Sequence, residues 1–143
     1  MPLAEAQRKY LEAHRVGHLA TADRLGRPHV VPVCFACDGS SVYSVLDAKP
    51  KRVRAPALKR VRNIEENPHI AIVVDDYDED WSRLSYLMIL GTARIVTQGD
   101  EHARALGLLR EKYPQYRAMA LESAPVIAMT IARTVSWSAR RHS

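Results

Sequence analysis

The chain has 143 residues, 47% apolar and 26% charged, with a formal net charge of +5. That length fits one domain with one core, large enough to need no disulfide or metal staple. No apolar run approaches the roughly 20 residues of a membrane helix, and the first residues lack a secretory hydrophobic region, so the expectation is a cytoplasmic protein with no membrane partner.

Residues 3–14 repeat as an amphipathic helix, with Leu3, Ala6, Tyr10, Leu11 and Ala13 on one side. Residues 16–22 alternate like a strand, and 23–28 supply turn chemistry. A second strand is expected over 29–36, where Pro32 marks an edge or a bulge. Asp38-Gly39 turns the chain into a third strand, 41–46. Cys34 and Cys37 have the spacing of a zinc or redox pair, but no second pair exists and their flanks read as strand. Residues three apart on a strand point to opposite faces, so two reduced, buried thiols are expected.

Residues 49–62 carry seven cations and no acid. Pro50 and Pro56 make the first half a loop, whereas 57–66 reads as a helix with Leu58, Val61 and Ile64 on its apolar side. A fourth strand follows over 69–74. The acidic loop Asp75, Asp76, Asp78, Glu79 and Asp80 then carries Tyr77 and Trp81. A long strand over 86–96 contains Gly91, a bulge position where a barrel bends. Asp100 is expected to cap a helix over 101–113, which Pro114 stops. Residues 115–124 form a short helix or loop, and 125–137 the last strand. The sum is a mainly β fold: a six-stranded antiparallel barrel with two or three peripheral helices.

The basic segment suits a phosphate-bearing partner, because Arg forks and Lys point charges gather near a helix start. A nucleic acid is disfavoured, since the acids cluster separately instead of leaving one broad basic face. The acidic loop calls for a cationic neighbour in the same or a second subunit. Trp81 suits an oligomer interface, with stacking on a planar cofactor as the second account. No nucleophile–base pair and no glycine-rich phosphate loop is present, so any chemistry would belong to a bound cofactor.

The runs 18–22 and 26–33 resemble the opening hairpin of the pyridoxamine-phosphate-oxidase-like, FMN-binding split barrels. Lys59-Arg60-Val61-Arg62-Asn63-Ile64, followed by Asn67-Pro68-His69-Ile70-Ala71, resembles that family's phosphate-binding stretch and next strand. The acidic loop through Trp81, with Lys112-Tyr113-Pro114-Gln115-Tyr116, is similar to a subgroup of F420-dependent oxidoreductases of actinobacteria.

The resemblance implies a six-stranded split barrel that dimerises around a deazaflavin, coenzyme F420, or alternatively FMN. By it, Arg60 replaces the usual phosphate-binding lysine, with Lys59 beside it. Ser44, Val45 and Leu46 run along the ribityl chain and ring, and Pro32 and Val33 contact the ring system. Lys49, Lys51 and Arg52 suit a cofactor's acidic tail and phosphate, and Trp81 comes from the partner or braces the interface. The implied activity is hydride transfer to a small organic substrate. A non-catalytic flavin- or haem-binding split barrel is the alternative.

Overall fold

The computed structural model describes residues 2–46 and 58–141. Helix α1 (Glu5–Ala13) leads into β1 (Gly17–Ala22), β2 (Pro28–Val33), β3 (Ala36–Cys37) and β4 (Ser41–Val45). Helix α2 (Lys59–Glu66) precedes β5 (His69–Asp76) and β6 (Ser85–Val96); α3 (Asp100–Lys112) and β7 (Val126–Ser138) follow. Every strand pairing is antiparallel, in the order β2-β1-β5-β6-β7-β4-β3. The two ends of that order, β2 and β3, are separated in sequence only by Cys34 and Phe35. The sheet must therefore curl until its edges approach one another. This is the split barrel of the expected class, with seven described strands where six were expected, because the second strand breaks in two at its sharpest bend.

Alternation builds the interior. Along β5, Ile70, Ile72 and Val74 are buried while His69 is exposed and Ala71 and Val73 are half-buried. The inward set joins Phe35, Ile89, Met129 and Ile131 in one core, and Val61 and Ile64 of α2 complete it. Helix α3 covers the other side of β4 and β7, where Ala105, Leu106 and Leu109 pack with Tyr43, Val45 and Ala128. Gly91 is a bulge as expected: the β6–β7 register shifts between Leu90 and Gly91. A Cβ there would lie 2.0 Å from the Thr130 carbonyl oxygen.

Two local expectations are corrected. Gly99, at φ +95°, takes the N-cap of α3, and Asp100 becomes the first helical residue, its carboxylate still favourable beside the helix N-terminus. Only Cys37 is buried, its thiol pushed up by desolvation; Cys34 sits half-exposed at the break between β2 and β3. That break is clamped by Tyr113, a residue of the family-like stretch 112–116. Its hydroxyl accepts from the Phe35 N–H (3.0 Å) and shares its proton between the carbonyls of Phe35 (3.0 Å) and Arg15 (2.9 Å). Burial pushes this phenol up to about 12. Lys112 lies 3.7 Å over the Phe35 ring and donates to the Leu11 carbonyl, and desolvation lowers its amine to about 8. Among the described residues, no helix is long and apolar enough to cross a membrane.

Candidate functional site

Cross-strand register places an apolar band on the outer face of the sheet. One row runs Pro32–His18–Val73–Met88–Val135 across five strands. The next runs Val30–Ala20–Ala71–Leu90–Arg133, and a third, at the far end, joins Asp75, Tyr86 and Trp137. Directly opposed residues share a face, so these rows form one continuous surface. Val30 is 63% exposed, an unusual state for a β-branched strand residue.

Where β1 ends, beyond Ala22, lies the start of α2. Lys59 and Arg60 occupy its first turn, where the helix dipole adds to their charge. The end is fixed by Asp23, which immediately follows β1. Asp23 is buried; its carboxylate accepts the N–H groups of Leu25 (2.9 Å) and Arg27 (3.0 Å) and the Arg27 Nε–H (2.7 Å). Lys59 Nζ stands 3.8 Å away. The Arg27 backbone and side-chain donors pull the Asp23 carboxyl down from 3.8 to about 2. Deeper in the same region Asn63, fully buried, donates to Thr21 Oγ1 at 3.0 Å, while its own Oδ1 has no hydrogen-bond partner among the described residues.

A pH dependence follows from Asp23. A folded-state carboxyl depressed below its unfolded value contributes stability that is complete above about pH 4 and is lost as pH falls through about 2. Denaturation midpoints measured across that window should fall for the natural protein and fall less for Asp23→Asn. Equal slopes would show that the turn does not depend on the ionised carboxylate.

The opposite end of the sheet holds two clefts that meet along a stacked aromatic pair, Tyr86 and Trp137, with ring centroids 6.1 Å apart. One cleft opens on the outer face beside His18, Val73 and Met88. The other, about 640 Å³, lies between α1 and the ends of β5, β6 and β7. Its wall is organised by hydrogen bonds: Tyr10 Oη lies 2.8 Å from Ser85 Oγ, and Gln7 donates to Thr134. His14 Nε2 is 2.8 Å from Asp76 Oδ1, and its Nδ1 is 2.6 Å from the Tyr10 carbonyl. Burial pushes the Tyr10 phenol up.

The residues singled out from sequence are thus spread along the barrel. Lys59 and Arg60 lie at the α2 end. Pro32 is exposed on the outer face, opposite His18 and roughly 13 Å along β1 from Ala22 at a strand rise of about 3.3 Å per residue. Trp81 is 67% exposed in a short 3₁₀ turn beyond β5. Val33 and Leu46 belong to the barrel core, Ser44 is buried beside them in β4, and Val45 points into the core under α3. Lys49, Lys51 and Arg52 lie outside the described residues. The acidic loop pairs with neighbours of its own chain, Asp76 with His14 and Asp80 with Arg83 at 3.8 Å. Sequence reasoning missed Tyr10, His14 and Ser85. The spacing of four between Tyr10 and His14 on a helix was the one available signal.

A family model described as pyridoxamine 5'-phosphate oxidase matches residues 3–138. A conserved hypothetical protein from Mycobacterium tuberculosis superposes with a TM-score of 0.78 at 20% identity, covering 98% of this chain and 88% of its own. HutZ, a haem storage protein from Vibrio cholerae, gives 0.70 at 16% identity over 96% and 95%. HupZ from Group A Streptococcus gives 0.68 at 20% identity over 95% and 94%. No curated protein matches the sequence.

Proposed function

Because the chain belongs to the pyridoxamine 5'-phosphate oxidase family, we propose that it is an oxidoreductase acting on a small organic substrate with coenzyme F420, or with FMN in its place. The observation that carries the reading is the bare apolar sheet face with a cationic helix start at one end and aromatic clefts at the other. A phosphate at Lys59 and Arg60 would meet a helix N-terminus and two side-chain cations. The separation from there to Pro32 is of the kind a ribityl chain bridges. The negative charge of Asp23, 3.8 Å from Lys59, is balanced by the Arg27 guanidinium hydrogen-bonded to it at 2.7 Å, so Lys59 and Arg60 keep a net positive field.

A bound deazaflavin or flavin supplies the hydride. The protein's part is to hold the phosphate, to lay the ring on the Pro32–His18–Val73–Met88 row and to keep water from it. A single copy leaves that row open. We place a second copy of the chain over it, with the exposed Trp81 reaching across or bracing the contact. Burying Val30, Pro32 and Met88 in a dimer would give the ring an apolar seat between subunits.

Titration of the purified protein with F420, FMN and haem, followed by absorbance and fluorescence, separates the readings. Micromolar binding of F420 with reduction of an acceptor is the expected result. Preference for FMN would move the assignment to the second cofactor. Haem binding without turnover would make this a haem-binding relative like HutZ, and binding of none would end the proposal.

A further inference from the structure

The bulge between β6 and β7 re-aims a side chain as well as bending the sheet. Strict alternation would put Arg133 on the same side as Ile131, in the core. The register slip prevents this: Gly91 faces Ile131 but Leu90 faces Arg133, which leaves Ala132 with no opposite residue. Ile131 is buried and Arg133 exposed, so the slip turns the arginine out onto the apolar face. The next residue, Thr134, is correspondingly on the other side, where it accepts from Gln7 of α1. In the two apolar rows that begin at Pro32 and Val30, Arg133 is the one arginine or lysine, and no carboxylate shares them. Among the described residues its guanidinium has no hydrogen-bond or ion-pair partner. Arg94, Arg104 and Arg110, by contrast, each hold a carboxylate.

We infer that Arg133 receives an anionic oxygen group of a small organic ligand whose apolar body lies on Leu90 and Met88. A guanidinium on a face that a second copy covers must find an anion, because burying it unpaired is costly. The cofactor phosphate is too distant to be that anion. Lys59 stands beyond the end of β1, and β1 is three strand spacings, about 14 Å across the sheet, from β7. The ring seat is nearer: Arg133 is two residues, about 7 Å, along β7 from Val135, which faces Met88. A ligand held here would sit beside the ring. The guanidinium fork suits a carboxylate or another paired oxygen anion. Calling the ligand the substrate, and the substrate therefore an organic acid, rests on the oxidoreductase reading; the binding itself does not.

The test therefore uses the full chain without cofactor and two fluorescent probes with one body. Anilinonaphthalene sulfonate carries the anion, and phenylnaphthylamine is the same body without it. Saturable binding of both is expected, with the sulfonate the tighter. Arg133→Gln should weaken the sulfonate about tenfold and leave the neutral probe within twofold, whereas Arg133→Lys should keep most of the preference. Leu90→Ser should weaken both probes. The Lys59→Ala/Arg60→Ala double variant should change neither. Arg133 is exposed, so its variants should fold, and thermal unfolding checks this. Equal loss of both probes in Arg133→Gln, or no loss of the sulfonate, would overturn the assignment. If sedimentation showed that Arg133→Gln weakens a dimer while sulfonate binding is unchanged, the arginine would belong to the contact between copies, and the assignment would again fall. None of these outcomes depends on F420 or FMN, so the cofactor titration stands or falls separately.

Discussion

Gly91→Ala is expected to cost roughly 3 kcal/mol or more of folding stability, at or above the upper end of ordinary overpacking. The added Cβ would lie 2.0 Å from the Thr130 carbonyl oxygen and 3.3 Å from the Ala132 nitrogen. Neither is the end of a flexible side chain. Relief would require β7 to move away from β6 along the longest ladder of the sheet. Against a typical total of about 5–15 kcal/mol, that is a large fraction. Gly107→Ala provides the contrast: it lies within α3 with nothing inside 4 Å of a new Cβ. There alanine should stabilise by about 0.5–1 kcal/mol through helix propensity alone. Urea denaturation of both variants gives the comparison. A Gly91→Ala protein as stable as the parent would show that the bulge is looser than its geometry.

The second large effect is on binding. Replacing Lys59 and Arg60 together by alanine should weaken F420 or FMN affinity at least tenfold, about 1.4 kcal/mol. The fold should survive, because α2 is docked by Val61 and Ile64, and Asp23 keeps its Arg27 contacts without Lys59. The Lys59–Asp23 contact, 3.8 Å long with the lysine half-exposed, contributes little to stability on its own. Fluorescence titration against the parent, with thermal unfolding as the folding control, makes the measurement. Unchanged affinity would place the phosphate elsewhere.

Much of the fold was legible because it rests on periodicity. The alternation in β5 and the helical spacing of Val61 and Ile64 are local signals, and the barrel realises both. Gly91 was readable because a glycine inside a long apolar strand has few other reasons to be there. The break at Cys34 and Phe35 was not readable: it depends on where the curled sheet brings its two edges together, a property of seven strands rather than of two residues. Gly99 displaced Asp100 as the cap for a similar reason, since a glycine at positive φ competes well at that position. The site followed the same division. The cations of α2 announce themselves in a row. The Tyr10–Ser85 contact joins residues 75 apart in sequence, and nothing near either one foretells the other.

The place of β7 between β6 and β4 also governs how the molecule can assemble. The β5–β6 hairpin closes a short loop, with Asp76 opposite Ser85. Ser41 opposite Thr130 joins residues 89 apart, which costs about 2 kcal/mol more chain entropy by the logarithmic loop law. During synthesis β4 has only the two-residue β3 beside it, and must wait for nearly ninety further residues before its longer partner, β7, exists. Until then Val42 and Leu46 have no finished barrel to enter. The open edge of β4 is thus the stretch of this chain most exposed to wrong pairing while it is being made.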